Sequence, residues 1–398
     1  MAPVRKILHM DLDAFFCAVE ELHNPDLRGK AFAVGGRPDQ RGVVASCSYP
    51  ARQFGVRSAM PMATAVRLCP DLIIVSHRHG VYSQVSDQVM ALVHDLTPVV
   101  EQLSIDEAFL DVTLRPERAS ELAQDLQGRI NQELSLPVSL GVAANKLVAK
   151  IANNVGKAQH GGIHPPNTIT VVPPGQEAAF LAPLSVRELW GVGPRTAQRL
   201  AELDIHSVGD IASRPAQDLM RAFGKHGADL AQRARGIDER PLETEHDPKS
   251  ISKEVTFAQD IGEEASLRRV VRRLSDGVGR RLRRAGLQGT TVKIKLRWSD
   301  FTTLSRQITL GQPTDDDDVI YHAALELFIR NWPRGRPVRL IGVGISSFEA
   351  GVQLGLWGGP SEERRHLIDA LDRLRDRFGD KSVRRGSDLI DAHEDEEA

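Results

Sequence analysis

Two apolar segments of this chain, both predicted as strands, carry acidic residues at a strand end. These two acidic strand ends restrict how the chain can fold more than any other feature. The first segment, Lys6 to Leu12, leads into Asp11-Leu12-Asp13. The second, Val99 to Val112, is predicted as two short strands with Asp106-Glu107 at the turn between them. Because a strand alternates its faces, Asp11 and Asp13 share one side. If the strands lie side by side in a central sheet, the carboxylates at their ends repel one another.

A divalent cation would relieve that repulsion, and hard Mg²⁺ prefers carboxylate oxygens together with water and phosphate. Three carboxylates at two strand ends can hold two metal ions about 3.5–4 Å apart, which suits in-line phosphoryl chemistry. Nucleases, phosphatases, cyclases and polymerases all use this arrangement, so the chemistry alone leaves these classes open. The alternative is that the acids are solvated turn residues, with Asp13 as the cap of a helix that begins at Ala14.

Composition excludes several other classes. The 398 residues are 41% hydrophobic and 26% charged, which is ordinary globular usage and predicts about two to four domains. Cys17, Cys47 and Cys69 show no CxxC spacing, which argues against a zinc ribbon or disulfide framework and favours the reducing cytoplasm. Lys and Asp residues occur too close to the N-terminus for the first residues to form a signal peptide. Uncharged apolar runs fall short of the roughly 18 residues of a membrane span, so we expect no membrane partner.

The net charge of −2 is an average over unlike segments. Ser266 to Arg297 contains eleven Lys and Arg against one acid, Asp276, whereas Asp388 to Ala398 contains six acids and no Lys or Arg. Near-neutrality is therefore no argument against a nucleic-acid partner.

Hydrophobic periodicity and turn residues predict the element order. Strands and helices mix up to about residue 170, residues 175–240 are all helical with glycine turns, and 249–348 follow the order βαββαβ, typical of a split βαβ unit. The helices predicted outside 175–240 are Ala14–Leu22, Tyr82–Leu96, Ala119–Leu134, Asn145–Asn154, Glu263–Ala285, Asp316–Asn331 and Glu362–Phe378.

The acidic clusters lie within longer runs that resemble a known family. His9 to Glu20 (HMDLDAFFCAVE) resembles the opening motif of Y-family DNA polymerases, and Val43 to Val56 (VVASCSYPARQFGV) resembles its finger motif. Ser104 to Asp111, Gly141 to Lys150 and Leu189 to Leu200 resemble the later blocks in the same order. The resemblance extends from about residue 5 to residue 357 and is closest to the DinB branch.

The resemblance implies an α+β multidomain right-hand polymerase that carries out error-prone translesion synthesis in DNA repair, by two-metal-ion nucleotidyl transfer. The implied domains are a palm (1–22 and 76–170), small fingers (23–75), a helical helix-hairpin-helix thumb (171–240), a linker (241–248), a βαββαβ little finger (249–350) and a clamp-binding peptide with a C-terminal tail (351–398).

Carried over position by position, the resemblance assigns the catalytic and metal-binding roles. Asp11 and Asp106 would bridge two Mg²⁺ ions, with Mn²⁺ as a possible substitute, and the Leu12 carbonyl would be a further ligand. Glu107 would hold the metal that activates the primer 3′-hydroxyl. Asp13 is not a metal ligand in the family, which favours its capping role.

The incoming deoxynucleoside triphosphate would be held by Tyr49, Arg52 and Lys157. Arginine offers a bidentate fork to phosphate and lysine a point charge; the alternative for Lys157 is an ordinary surface lysine. Phe16 matches the steric gate that excludes a 2′-hydroxyl, while its neighbour Phe15 must point elsewhere. The finger segment carries small residues, typical of an open, low-fidelity site: Val44, Ala45, Ser46 and Ala59.

Two regions are predicted to contact primer-template DNA through its phosphates rather than its bases. Gly191 and Gly193 lie in a helix-hairpin-helix turn whose backbone N–H groups and following helix favour phosphate, and Phe223 to Gly227 is a possible second turn; either turn could be purely structural. Lys293, Lys295 and Arg297 share one strand face. The preceding helix adds arginines that could equally be a solvated surface: Arg268, Arg269, Arg272, Arg273, Arg280, Arg281, Arg283 and Arg284.

Gly351 to Gly358 resembles the peptide by which bacterial polymerases bind the replication sliding clamp. The resemblance assigns clamp contacts to Gln353, Leu354, Leu356 and Trp357, with Trp357 departing from the usual Phe; the alternative is a loop that packs on its own domain. We expect a monomer with a solvating acidic tail. The rival functions are a palm-type cyclase or nuclease and a catalytically silent DNA- or clamp-binding module.

Overall fold

The computed structural model describes residues 4–245, 247–348, 362–379 and 382–383. The chain forms two units, Met1–His246 and Asp247–Ala398. Their boundary falls inside the predicted linker, 241–248, and the finer division of the chain stays a prediction. Among the described residues, none of the helices combines the length and the apolar character that crossing a membrane requires.

The first unit combines two sheets with eleven α-helices among its described residues. Its strands are β1 (Ile7–Leu12), β2 (Phe32–Gly35), β3 (Val44–Cys47), β4 (Ile73–Val75), β5 (Val100–Gln102), β6 (Glu107–Asp111), β7 (Val138–Ala143) and β8 (Ile169–Val171). Its helices are α1 (Phe15–His23), α2 (Tyr49–Gln53), α3 (Met62–Leu68), α4 (His79–Leu96), α5 (Ala119–Leu134), α6 (Lys146–Gln159), α7 (Glu177–Leu181), α8 (Pro194–Ala201), α9 (Val208–Ser213), α10 (Ala216–Phe223) and α11 (Lys225–Ala234).

A five-stranded sheet in the order β5-β6-β1-β7-β8 organises this unit, and β1 lies at its centre. Leu8 and Met10 face a core shared with α4 and α5. Ile7 faces the opposite core, which α6 shares with the helical region from α7 to α11. The alternation of β1 therefore turns His9 and Asp11 toward α6, because they share the parity of Ile7.

Two glycines allow α6 to lie unusually close to this sheet. A Cβ atom on Gly141 of β7 would lie 1.9 Å from the Ala149 carbonyl oxygen of α6, and one on Gly156 of α6 would lie 2.1 Å from Thr170 Oγ1 of β8. Real Cβ atoms do not approach other atoms so closely, so any larger residue would push the helix away. The absence of these side chains lets α6 pack closely against β7 and β8.

Residues 23–75 form a smaller layer. Its three-stranded sheet has the order β3-β2-β4, and its separate core includes Val44, Cys47 and Met62. The strand β3 leads directly into α2, which Ser48 caps by accepting a hydrogen bond from the Ala51 N–H at 3.3 Å. This cap fixes the position of the first turn of α2, where Tyr49 and Arg52 lie.

The second unit has the predicted order βαββαβ followed by one more helix. Its elements are β9 (Ser250–Ile261), α12 (Glu264–Arg284), β10 (Gly289–Trp298), β11 (Thr303–Thr314), α13 (Asp317–Asn331), β12 (Val338–Phe348) and α14 (Glu362–Phe378). The antiparallel sheet has the order β11-β10-β12-β9. Val292, Ile294 and Leu296 of β10 are buried beneath the helices, so the alternate residues of that strand face the other side.

Candidate active site

The predicted carboxylates meet at one end of the central sheet. β1 and β6 pair antiparallel with Asp11 opposite Glu107, and the Leu12 N–H donates to the Asp106 carbonyl at 2.9 Å. Asp106 immediately precedes β6. The prediction that the two acidic strand ends lie side by side is therefore confirmed.

A cavity of about 300 Å³ opens beside these carboxylates. Asp11, Leu12 and Asp106 line one side, and Ala45 and Ser46 of the smaller layer line another. The cavity also brings together the residues predicted to bind a nucleotide: Phe16, Tyr49, Arg52 and Lys157. Residues that are as much as 146 positions apart thus meet at one opening, as the sequence patterns indicate.

Lys157 joins two carboxylates at the edge of this cavity. Its Nζ lies 2.6 Å from Asp11 Oδ1 and 2.8 Å from Asp13 Oδ1. Asp13 is fully buried and accepts hydrogen bonds from Ser139 Oγ at 2.7 Å and the Asn167 N–H at 2.9 Å. The carboxylate of Asp13 therefore holds Lys157 in place.

The prediction that Asp13 caps the first helix is wrong. The N-cap position of α1 is Ala14, whose backbone is left-handed with φ 47°. This turn directs Asp13 inward to Lys157, Ser139 and Asn167, and those tertiary partners outweigh the local preference of Asp for helix caps.

Glu107 lies beside the cavity and is held from the sheet and from α6. Its Oε1 is 2.5 Å from His9 Nε2 and is also paired with Lys150 Nζ. Burial, reinforced by Lys150, lowers the pKa of His9 to about 3, so its imidazole is neutral at physiological pH and the contact is a hydrogen bond rather than an ion pair. Burial also lowers the pKa of Lys150.

A polar stripe on α6 supplies the lysine contacts to Asp11, Asp13 and Glu107. Lys146, Lys150, Asn153 and Lys157 follow the spacing i, i+4, i+7 and i+11, which places them on one helix face. Their partners are Glu101, Glu107, His9 and Asp11 with Asp13, in that order. Sequence reasoning found only Lys157, although the periodic polar positions in an otherwise apolar helix were visible.

On the other side of the cavity, the predicted nucleotide-binding residues Phe16, Tyr49 and Arg52 make contacts with aromatic rings. The Arg52 guanidinium lies 4.3 Å from the centre of the Tyr49 ring, and burial raises the pKa of Tyr49. Phe16 is half-buried and stacks on Tyr82 with ring centres 4.3 Å apart, while Phe15 is 2% exposed. The hydroxyl of Tyr82 donates to Glu20 at 2.6 Å. Neither residue was predicted to belong to the site.

Of the predicted DNA-contacting residues, Gly191, Gly193 and Lys293 are exposed, whereas Lys295 and Arg297 are half-buried. Gly191, with φ +98°, and Gly193 form the turn before α8, and Gly224, with φ +63°, forms a second turn between α10 and α11. In the second unit, Lys293 is exposed, Lys295 pairs with Glu254 at 2.8 Å and Arg297 donates to Thr303 at 2.9 Å. The predicted clamp-contacting residues 353, 354, 356 and 357 lie outside the described residues.

The arginines of α12 are largely paired within their own unit. Arg283 contacts Asp317 at 2.8 Å and Asp372 of α14 at 2.7 Å, and Arg280 contacts Asp376 at 2.6 Å. Further partners include Glu264 for Arg268, Asp318 for Arg272 and Asp376 for Arg284.

Within the described ranges, no three His, Cys, Asp or Glu side chains are grouped closely enough to hold a metal ion. Lysine ammonium groups instead lie against Asp11 and Glu107. The available ligands are nevertheless carboxylate and peptide oxygens at the wall of one cavity, the ligand type that Mg²⁺ prefers.

Comparisons with known proteins agree with this geometry. Residues 10–154 match the impB/mucB/samB family, 248–356 match its C-terminal domain, and 174–205 match the HHH motif of the IMS family. The chain is 40% identical to DNA polymerase IV of Dehalococcoides mccartyi strain CBDB1 over 388 residues, which cover 96% of this chain and 97% of that protein. It is 43% identical to DNA polymerase IV of Streptomyces coelicolor over 364 residues, 90% of this chain and 74% of that one.

Solved structures show the same relationship. A Y-family DNA polymerase chimera of Dbh and Dpo4 aligns with a TM-score of 0.77 and 27% identity, over 87% of this chain and all of that one. DinB from Sulfolobus solfataricus aligns over the same shares of the two chains, with a TM-score of 0.60 and 28% identity. The predicted polymerase fold is confirmed, and the chain belongs to the Y-family of DNA-directed DNA polymerases, in its DinB branch.

Proposed function

We propose that this protein adds deoxynucleotides to the 3′ end of a primer by two-metal-ion nucleotidyl transfer, with low fidelity, and thereby copies past damaged template bases. One observation carries the proposal: a single cavity joins Asp11 and Asp106 to Phe16, Tyr49, Arg52 and Lys157. Membership of the DinB branch supports it.

The oxygen ligands at the cavity fit two Mg²⁺ ions, with Mn²⁺ as a substitute. Asp11, Asp106, Glu107 and the Leu12 carbonyl would hold these ions. The common position of Asp11, Leu12 and Asp106 at one cavity supports this assignment. When bound, the ions would activate the primer 3′-hydroxyl and neutralise phosphate charge.

The protein's own cations would hold the triphosphate. Arg52 offers paired N–H groups to phosphate oxygens, and its stacking on Tyr49 fixes the plane of the guanidinium. Lys157 is anchored by the buried Asp13 at 2.8 Å, which keeps its ammonium at the cavity wall. This preorganisation lowers the cost of binding the substrate in line with the primer end.

Phe16 would select deoxyribose by leaving no space for a 2′-hydroxyl, since Tyr82 supports its ring from the opposite face. On the other wall, Ala45 and Ser46 present little bulk to the nascent base pair. Such an open wall tolerates misshapen pairs, which accounts for both low fidelity and lesion bypass.

The remaining assignments follow the family pattern. The palm would comprise 1–22 and 76–170, the fingers 23–75, the thumb 171–240 and the little finger 249–350, joined by the linker 241–248. The Gly191 and Gly193 turn and the Lys293, Lys295 and Arg297 face would contact the primer-template backbone. The 351–358 segment would bind the sliding clamp, and the protein would act as a cytoplasmic monomer.

Primer extension with the full chain tests the function. Templated addition of deoxynucleotides in Mg²⁺ is expected, on an undamaged template and past an abasic site. Asp106→Ala should extend at least about 1,000-fold more slowly, because metal ligation supplies several kcal/mol of transition-state stabilisation. Phe16→Ala should raise ribonucleotide incorporation while deoxynucleotide addition continues.

Other outcomes would contradict the proposal in recognisable ways. Cyclisation of the nucleotide or cleavage of the primer without extension would indicate the cyclase or nuclease function. DNA binding with no extension at all would indicate a silent binding module. Unchanged sugar selection in Phe16→Ala would remove the steric-gate assignment alone.

A further inference from the structure

His9 is a buried polar residue to which the proposed reaction assigns no role. It lies two residues before Asp11 in β1, which pairs with β6 and β7, and its side chain is fully buried on the sheet face that α6 covers. Its ring packs 4.8 Å from the ring of Phe109. A buried imidazole at the centre of a sheet is costly unless both ring nitrogens are satisfied, and here both are.

The hydrogen bonds around His9 define which ring nitrogen carries the proton. Asn153 Nδ2 lies 3.0 Å from the Ser139 carbonyl oxygen and 3.0 Å from His9 Nδ1. A carbonyl can only accept, so the Asn153 amide group at this point is the NH₂, a donor. His9 Nδ1 must therefore accept, and Nε2 carries the hydrogen that it donates to Glu107 Oε1 at 2.5 Å.

The two described side-chain contacts of Glu107, from His9 and Lys150, both end on Oε1. The other oxygen, Oε2, takes part in neither of these contacts. The two donors differ in kind, because the lysine brings a positive charge that competes with a metal ion, whereas a neutral imidazole orients the carboxylate and leaves its negative charge intact.

We propose that His9 is a positioning residue of the polymerase reaction: held as the Nε2–H tautomer by Asn153, it fixes Glu107 so that Oε2 is presented for metal binding. This inference rests on the proposed role of Glu107 as a metal ligand. Removing a residue that hydrogen-bonds to a metal ligand typically lowers metal affinity or activity by about 10–100-fold. This range sets the size of the expected effect.

A matched pair of amide substitutions isolates the hydrogen bond to Glu107. In His9→Gln the side-chain NH₂ reaches the position of Nε2, whereas in His9→Asn it reaches only that of Nδ1. The probe is Mn²⁺, titrated by electron paramagnetic resonance into the complex of the full chain, primer-template DNA and a deoxynucleoside triphosphate with an α,β-imido bridge. His9→Asn should weaken Mn²⁺ binding about 10-fold, and His9→Gln should stay within about 3-fold of the parent chain.

Three results would overturn the inference or assign the failure elsewhere. Equal Mn²⁺ affinity in His9→Asn and His9→Gln would overturn it. So would ¹⁵N NMR of the parent chain showing His9 protonated on Nδ1, a measurement that does not depend on either variant folding. Glu107→Gln is the reference: if it leaves Mn²⁺ binding unchanged, the proposed metal site itself is wrong, whereas if it weakens binding and His9→Asn does not, only the role of His9 fails.

Discussion

Two helices of this polymerase place cationic side chains against acidic partners, but the partners of one helix are in the central sheet and those of the other are in its own helical layer. The helix α6 presents three lysines and one asparagine on a single face, against buried or half-buried groups of the central sheet. The helix α12 carries eight arginines, and their described carboxylate partners lie within α12, at the start of α13 or on α14. Burial and partner identity, rather than the number of charges, determine which helix shapes the active site.

The largest expected contrast concerns the stability of buried and exposed ion pairs. Lys146 and Glu101 are 4% and 7% exposed with N and O 2.6 Å apart. Lys146→Met leaves the buried Glu101 carboxylate without its ammonium partner, with only the Glu243 N–H among the described residues still donating to it at 2.9 Å, and should cost about 3–5 kcal/mol of unfolding free energy. Arg284→Ala breaks a contact whose partners are 57% and 51% exposed and should leave stability unchanged. Urea denaturation of the full chain measures both.

The double variant Lys146→Met with Glu101→Leu is the control for that experiment. Removing both charges should recover much of the lost stability, because an apolar pair has no stranded charge. If Lys146→Met lowers the unfolding free energy as little as Arg284→Ala does, burial does not account for the difference between α6 and α12.

The next contrast concerns catalysis. Lys157→Met removes the cation that Asp13 holds at the cavity wall, and the efficiency of deoxynucleotide addition should fall about 100-fold, the value of one or two charge-assisted hydrogen bonds. Arg281→Ala on α12 should leave extension on a short primer unchanged. Single-turnover extension at varied nucleotide concentration gives both values, and equal rates for the two variants would contradict the assignment of Lys157.

A smaller effect is expected from the glycine that lets α6 approach the sheet. Gly141→Ala places a methyl group 1.9 Å from a backbone oxygen and should destabilise the chain by about 2 kcal/mol through overpacking. Gly277→Ala in α12 meets only the flexible side chain of Lys253 at 2.9 Å and should be neutral or slightly stabilising, since Ala favours helices. Thermal unfolding of the two variants should differ in this direction, and identical melting temperatures would show that α6 can shift freely.

The smallest effect concerns DNA affinity. Lys293→Ala should lower the slope of log affinity against log salt concentration by about 0.9, because one phosphate group is no longer neutralised by the protein, and Lys293 is exposed on the sheet face. Arg284→Ala should leave the slope unchanged because Asp376 neutralises Arg284. The reverse result in a fluorescence-anisotropy titration would place the DNA on α12.

The sequence predicted most of what depends on local pattern. The βαββαβ order of the second unit could be derived because helix and strand periodicity are local features. The meeting of Asp11 with Glu107 is not local, and it was inferred from the shared chemistry of two acidic strand ends. The helix α6 was predicted to end at Asn154 but continues to Gln159. Gly156, which resembles a helix terminator in the sequence, is instead required by the close approach to Thr170.

What the sequence did not predict depends on which helix packs over which strand. His9, Lys150 and Asn153 acquire their roles only because α6 crosses β1 and β6, a tertiary fact with no local signature. Asp13 was predicted as a cap for the same reason: its true partners, Ser139 and Asn167, are 126 and 154 residues away.

The two close-approach glycines have a consequence for how this enzyme can vary. Gly141 and Gly156 are not among the residues that line the cavity, yet a Cβ atom at either position would force a neighbouring atom to shift. A saturation-mutagenesis survey selected for lesion bypass should therefore find replacements depleted at both positions, although less strongly than at Asp11 or Asp106. The placement of Lys150 and Lys157 is thus inherited partly through two positions that lie outside the cavity.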